Sequence, residues 1–178
     1  KSCTRRKICW LIGRRWGALE RPIASIVVFA FDLTEAAQRK RIDSLRAAGH
    51  DVRTGSFRRR NMSGRAPDFP NLDLGEMPNE RLVLRLWLLL RALPKLFLAR
   101  AFLANADVII ARNFDLLSLA WLTRQKGTPL IYECLDIHSI MTGDKLANRA
   151  VRAAERFLLK RIGLLWTSSP GFLTHYFE

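Results

Sequence analysis

Four hydrophobic runs in this 178-residue sequence end in residues able to hold a polar ligand. The run SIVVFAF (25–31) is followed by Asp32, ADVIIA (106–111) by Arg112, Asn113 and Asp115, and LLWTS (164–168) by Ser169. PLIYEC (129–134) contains Glu133 and runs out through Asp136 and His138. Glu133 directly follows a Leu-Ile-Tyr stretch, so its carboxylate is expected to be buried, and a buried carboxylate requires a partner. Arg112 can serve as that partner at a sheet edge, or as a clamp for a phosphate. Plainer roles compete. Asp32, Asn113 or Asp115, and Ser169 each fit a helix N-cap, and His138 fits a loop position without a role.

No self-sufficient catalytic signature accompanies these residues. There is no GxGxxG after the first run and no GxxxxGK(S/T) anywhere, which removes the usual dinucleotide and P-loop readings. HExxH and GxSxG are absent as well. Cys3, Cys9 and Cys134 have no metal-ligand spacing, and their odd number argues for a reducing compartment over a disulfide framework. The apolar stretch at residues 8–13 is cut by Arg14 and Arg15, which does not suit a secretory leader.

The elements that must position these groups alternate. A strand at 25–31 leads into a helix opened by the capping pattern Asp32-Leu33-Thr34-Glu35, carrying Ile42, Leu45 and Ala48 on one side and ended by Gly49. A second strand covers 51–57, and a long polar loop is expected from residue 58 to about 80. Residues 81–104 read as one apolar helix with a kink at Pro94, followed by a strand at 106–111, a helix at 115–126 and a strand at 129–134. A helix over 145–162 is predicted to bury a stripe of Leu146, Ala150, Ala153 and Phe157, with Asp144 as N-cap. A strand at 164–168 and a helix begun by Ser169-Pro170 close the chain. This order predicts an α/β fold, a Rossmann-like doubly wound parallel sheet in one domain spanning 23–178. Ligands of such sheets bind outside the carboxyl ends of the strands, where the polar residues above gather. Residues 1–22 are basic, belong to no strand–helix unit, and are expected to be an N-terminal extension outside the domain.

Thirty Lys and Arg against sixteen Asp and Glu give a net charge of +14 and a pI near 11.0. Such a chain favours an anionic partner: acidic bilayer, nucleic acid or phosphorylated ligand. Nucleic acid is the poorest fit, since aromatics interleave with cations only in the first twenty residues. An arginine-rich coding bias would give the same total, because the cations are spread over the whole chain. The 81–104 segment does not cross a bilayer, since Arg81, Arg85, Arg91, Lys95 and Arg100 interrupt it. Those cations occupy about half the helix circumference, with Leu86, Leu90, Leu93, Phe97 and Ala101 opposite. Two arrangements follow. The helix lies on an anionic membrane with Arg85, Arg91 and Lys95 facing it, or it packs on the sheet with its Arg stems reaching water.

Residues 106–138, ADVIIARNFDLLSLAWLTRQKGTPLIYECLDIH, resemble the N-terminal domain of GT-B glycosyltransferases of the retaining family 4 type, found in bacterial polysaccharide biosynthesis. The resemblance extends to LRAAGHDV (45–52) and to the Ala/Glu/Arg-rich helix that leads into a short strand ending in Ser, and covers about residues 24–178. It implies a sugar transfer from a nucleotide-sugar to an acceptor, with this domain holding the acceptor and a second domain holding the nucleotide. On that reading Asp32, Arg112, Asn113, Glu133, Asp136 and His138 position the acceptor, Arg39 or Arg41 assists the donor phosphates, and no metal or other cofactor is required. It also implies a lipid-linked saccharide acceptor and a cytoplasmic place on the inner face of the plasma membrane. Three departures stand out. Arg112 occupies the place of a frequent His, Leu135 replaces another, and Asp32-Leu33-Thr34-Glu35 replaces a Gly-rich loop. The chain ends where the first domain of such an enzyme ends, so by itself it is expected to be inactive. The alternatives are a non-catalytic Rossmann-like module with a basic membrane- or nucleic-acid-facing surface, and a flavodoxin-like nucleotide-using enzyme.

Overall fold

The computed structural model describes residues 23–59, 67–77 and 82–177, and the basic segment at 1–22 lies outside the described residues. The first strand, β1 (Ser25–Ala30), is a β-branched and aromatic run buried on both sides. Helix α1 (Ala36–Ala47) returns over the sheet to β2 (Asp51–Arg58). The α1 helix ends in a Schellman turn. Gly49, at φ 89°, donates its N–H to the Arg46 carbonyl, and the His50 N–H reaches back to Leu45.

A strand not anticipated from the sequence follows: β3 (Asn71–Glu76), inside the segment read as loop. Only Leu74 of its residues is buried, so its apolar signal is weak, and it sits at the sheet edge where polar side chains are tolerated. Next come α2 (Leu82–Leu98) and α3 (Arg100–Leu103), then β4 (Val108–Arg112), α4 (Asn113–Thr123) and β5 (Leu130–Cys134). Pro94 lies inside α2, yet the helix runs on to Leu98 and the break falls at Ala99. A single 3-10 turn (Ser139–Met141), α5 (Leu146–Leu159), β6 (Leu164–Thr167) and α6 (Pro170–His175) complete the chain.

All six strands are parallel, in the order β3-β2-β1-β4-β5-β6. The sheet is Rossmann-like, as expected. Its order reverses between β1 and β4, so the carboxyl ends of those two strands flank the topological switch point. One face of the sheet, with Val27, Phe29, Ile109, Ala111, Leu130 and Tyr132, packs under α2, α4 and α5 through Ala92, Leu96, Leu116, Leu117 and Leu158. The other face, with Ile26, Val28, Ala30, Val52 and Ile110, is covered by Ile42 of α1 together with Leu33 and Phe69.

Three expectations about helices are corrected. Asp32 does not cap α1, whose N-cap is Glu35. Lys145, not Asp144, precedes the first turn of α5, and no side chain caps it. The apolar stripe predicted for α5 faces outward, with Leu146, Ala150, Ala153 and Phe157 exposed, and the one predicted over 81–104 largely does so too: Leu90, Phe97 and Ala101 are exposed while Leu93 is half-buried against the core. Helix α2 is apolar on most sides, so Leu88, Leu89, Ala92 and Leu96 supply a second face, and that one meets the sheet. In α5 the buried residues are Glu155 and Leu158.

Candidate acceptor site at the carboxyl edge of the sheet

Asp32 lies two residues beyond the end of β1 and is 4% exposed. One carboxylate oxygen accepts from the Thr34 N–H (2.8 Å) and hydroxyl (2.6 Å), and the other from the Arg59 N–H (3.1 Å). Both oxygens are thus committed to tying the β1–α1 turn to the end of β2, and Asp32 is a structural acid.

Arg112 ends β4 and Asn113 begins α4 with φ 63°, a left-handed conformation that Asn tolerates better than most residues. That sharp turn directs the Arg112 guanidinium toward α1, where it donates to Glu35 (2.6 Å) and Gln38 (3.2 Å). Its expected pairing with Glu133 is not observed. The partner of Glu133 is Arg41, whose guanidinium nitrogen lies 2.6 Å from a carboxylate oxygen and whose plane covers the Trp166 ring at 3.9 Å. Cross-strand register explains the grouping, because Arg112 pairs with Glu133 and Glu133 with Trp166 in adjacent strands.

Glu133 and Gln38 are each 2% exposed. Burial pushes the Glu133 carboxyl above the usual carboxylate range, against the opposing pull of Arg41 and Arg112. Its second oxygen, the Gln38 amide nitrogen and the Asn113 amide oxygen have no partner among the described residues. A buried polar atom left unpaired costs free energy, and unpaired atoms in a native structure mark places where a ligand or water belongs. The Glu133 and Gln38 side chains are tied to Arg41 and to Arg112, with the Trp166 ring under Arg41, on strands beside the switch point. Hydroxyl groups, which both donate and accept, are suited to such a set. No cluster of His, Cys, Asp or Glu fit to hold a metal occurs among the described residues.

The other predicted site residues lie apart from this group. Asp136 is exposed. His138 is exposed too, and its Nδ1 accepts from the Ile140 N–H at 3.3 Å, capping the 3-10 turn. Arg39 lies on the solvent side of α1 near Asp43 and Asp68, both at 3.9 Å. Of the residues assigned to the bilayer, Arg85 is turned inward, pairs with Asp115 at 2.5 Å and lies over Phe31 at 4.8 Å. Lys95 is exposed and donates to the Asp73 carbonyl, while Arg91 is exposed beside Trp87. Sequence reasoning missed Glu35 and Gln38 as site residues, having read Glu35 as half of a capping pattern, and it missed Trp166. Ser169 does cap α6, as one of its expected roles had it.

A second buried acid sits on the other face of the sheet, the one covered by α2, α4 and α5. Glu155 accepts from the hydroxyls of Tyr132 (2.8 Å) and Tyr176 (2.7 Å), at a cavity of about 400 Å³ also lined by Asp144, Arg152 and His175. Burial raises the pKa of the Glu155 carboxyl and of both phenols, and pushes the Cys134 thiol up to about 11.

Residues 34–178 match the glycosyl transferase 4-like domain. The chain is 38% identical over 157 residues to the succinoglycan biosynthesis protein ExoL of Rhizobium meliloti, a match covering 86% of this chain and 39% of that protein. It therefore spans about two-fifths of the length of that curated relative. Among solved structures, UDP-GlcNAc 2-epimerase from Methanocaldococcus jannaschii superposes with a TM-score of 0.49 at 11% identity, over 81% of this chain and 39% of that one. A short-chain dehydrogenase/reductase from Burkholderia vietnamiensis does so with a TM-score of 0.44 at 12% identity, over 82% and 84%. The family match over most of the chain, and the identity to ExoL, establish that this protein belongs to the glycosyl transferase 4-like family.

Proposed function

We propose that this chain is the acceptor-holding part of a glycosyltransferase that moves a sugar from a nucleotide-sugar to a lipid-linked saccharide during polysaccharide synthesis. Membership of the glycosyl transferase 4-like family and similarity to a succinoglycan biosynthesis protein support the class of reaction. The observation that carries the acceptor role is the buried Glu133 carboxylate with one oxygen unpartnered, on the strand beside the switch point, together with the unpartnered amide nitrogen of Gln38, whose oxygen accepts from Arg112 in the strand next to Glu133. An acceptor hydroxyl donating to Glu133 and accepting from Gln38 would satisfy both. Arg41 and Arg112 then hold the carboxylates around it in place. Arg41 is too engaged with Glu133 and Trp166 to serve as a donor-phosphate ligand without leaving them, so the donor's charge falls to other parts of the protein.

The test is transfer by the full-length protein, offered labelled nucleotide-sugars together with lipid-linked saccharides extracted from polysaccharide-producing cells. Label entering the lipid fraction is the expected result. Release of label only as free sugar, or transfer only to soluble saccharides, would overturn the lipid-linked acceptor.

A further inference from the structure

Trp166 stands in β6 as the cross-strand neighbour of Glu133, which in turn neighbours Arg112 in β4. Residues paired in this way share one face of the sheet and lie about one strand spacing apart, roughly 4.8 Å. Leu165 packs into the core on the side of α2, α4 and α5, so Trp166, one residue on, points to the opposite face, where Arg41 of α1 meets it. The apolar packing on that face involves β1, β2 and β4, with Ile131 of β5 at its margin, and among the described residues none of β6 takes part. Trp166 is accordingly 47% exposed. Arg41 covers one side of the ring at 3.9 Å, and the open surface is the rest of it.

Single exposed hydrophobic side chains are common on protein surfaces. This one differs in its neighbours, since the unpartnered oxygen of Glu133 is one strand away and Arg112, next along, holds Gln38 with its unpartnered amide nitrogen. A pyranose suits both features. The C–H groups of one ring face pack on an aromatic face, and the hydroxyls at its rim donate and accept. The charges narrow the choice further. Arg41 faces Glu133 at 2.6 Å and Arg112 faces Glu35 at 2.6 Å, so two guanidinium groups meet two carboxyls and neither is left over for an anion. A phosphate or carboxylate brought here would meet the Glu133 carboxylate, and would have to draw a guanidinium away from its partner.

We infer that Trp166 is the stacking platform for the terminal sugar of the acceptor, and that this sugar is an uncharged pyranose. The inference rests on the reading of this edge as the acceptor site. The sugar lies with its C–H face on the open side of the indole, while a hydroxyl at its rim reaches the Glu133 oxygen one strand spacing away. A nucleobase would also stack on the ring, but its phosphates would find no free cation beside it.

The test is acceptor kinetics of the full-length protein with lipid-linked saccharides ending in a neutral hexose, for the parent and for Trp166→Ala, Trp166→Leu and Trp166→Phe. The alanine and leucine variants are expected to raise the acceptor KM by about tenfold. Their kcat and their KM for the nucleotide-sugar should change little, because stacking binds ground state and transition state alike. Phenylalanine restores a flat ring and should recover most of the loss. Leucine keeps apolar bulk beneath Arg41 without a flat face, so it separates stacking from mere support of the Arg41–Glu133 pair. Saccharides ending in a hexuronic acid should be poorer acceptors by a similar factor. An acceptor KM unchanged in the alanine variant, or a leucine variant equal to the parent, would overturn the stacking and leave the acceptor site standing. A rise confined to the nucleotide-sugar KM would overturn it in favour of the donor base, and better transfer to the uronic acid would overturn the uncharged sugar. Absence of transfer by the parent to any lipid-linked saccharide would instead sink the acceptor reading, and this inference with it.

Discussion

Arg41→Ala is expected to destabilise the protein by about 2–3 kcal/mol at neutral pH, a large share of a typical domain's total. The Arg41 guanidinium is the counter-charge of Glu133, and the Glu133 side chain is 2% exposed, so removing the cation leaves a buried carboxylate uncompensated. The pH dependence identifies the cause. Burial already holds the Glu133 pKa above its ordinary value, and losing Arg41 moves it further in the same direction. Once pH falls below that raised pKa the carboxyl is protonated and needs no counter-charge, so the deficit should shrink on acidification. Denaturant unfolding of parent and variant at neutral and acid pH measures this. An equal deficit at both would mean that Arg41 acts by packing on Trp166.

Removing both donors from Glu155, by Tyr132→Phe with Tyr176→Phe, should cost about 2–4 kcal/mol at neutral pH. Each phenol donates one hydrogen bond to a carboxylate that is otherwise buried. The sign of the linked pH effect follows from the raised pKa of Glu155. Between the unfolded and folded pKa values the native state binds the proton more tightly, so stability falls as pH rises through that window. Glu133 contributes in the same direction. Glu155→Gln should therefore flatten the decline without abolishing it, and an unchanged slope would show that Glu155 does not titrate in the folded protein.

The strand–helix order of the sheet was legible because β1, β4 and β5 are continuous apolar runs, the mark of strands covered on both faces. The edge strand β3 was not, because an NLDLGE segment with one buried residue carries no such mark. Periodicity located the apolar stripes of α2 and α5 but could not say which side the sheet takes. In α5 the sheet side includes the polar Glu155, made tolerable only by two tyrosines distant in sequence. The same limit applied at the site. The strand-end rule picked out Arg112 and Glu133, and burial of Glu133 was anticipated from its neighbours. The pairing of Glu133 with Arg41 depends on where α1 crosses the sheet, which residue types alone do not encode. Asp32 and His138 look catalytic by type, yet their oxygens and Nδ1 are occupied by nearby backbone N–H groups.

The unpartnered oxygen of Glu133 is the centre of the acceptor site, and Glu133→Gln in the full-length protein tests its role most directly. Glutamine keeps the shape and replaces one acceptor oxygen with a donor. The KM for the acceptor is predicted to rise by about tenfold or more, as when a polar group built to bind a hydroxyl is lost, with the KM for the nucleotide-sugar unchanged. An unchanged acceptor KM, or a change confined to the nucleotide-sugar, would contradict the assignment of this edge to the acceptor.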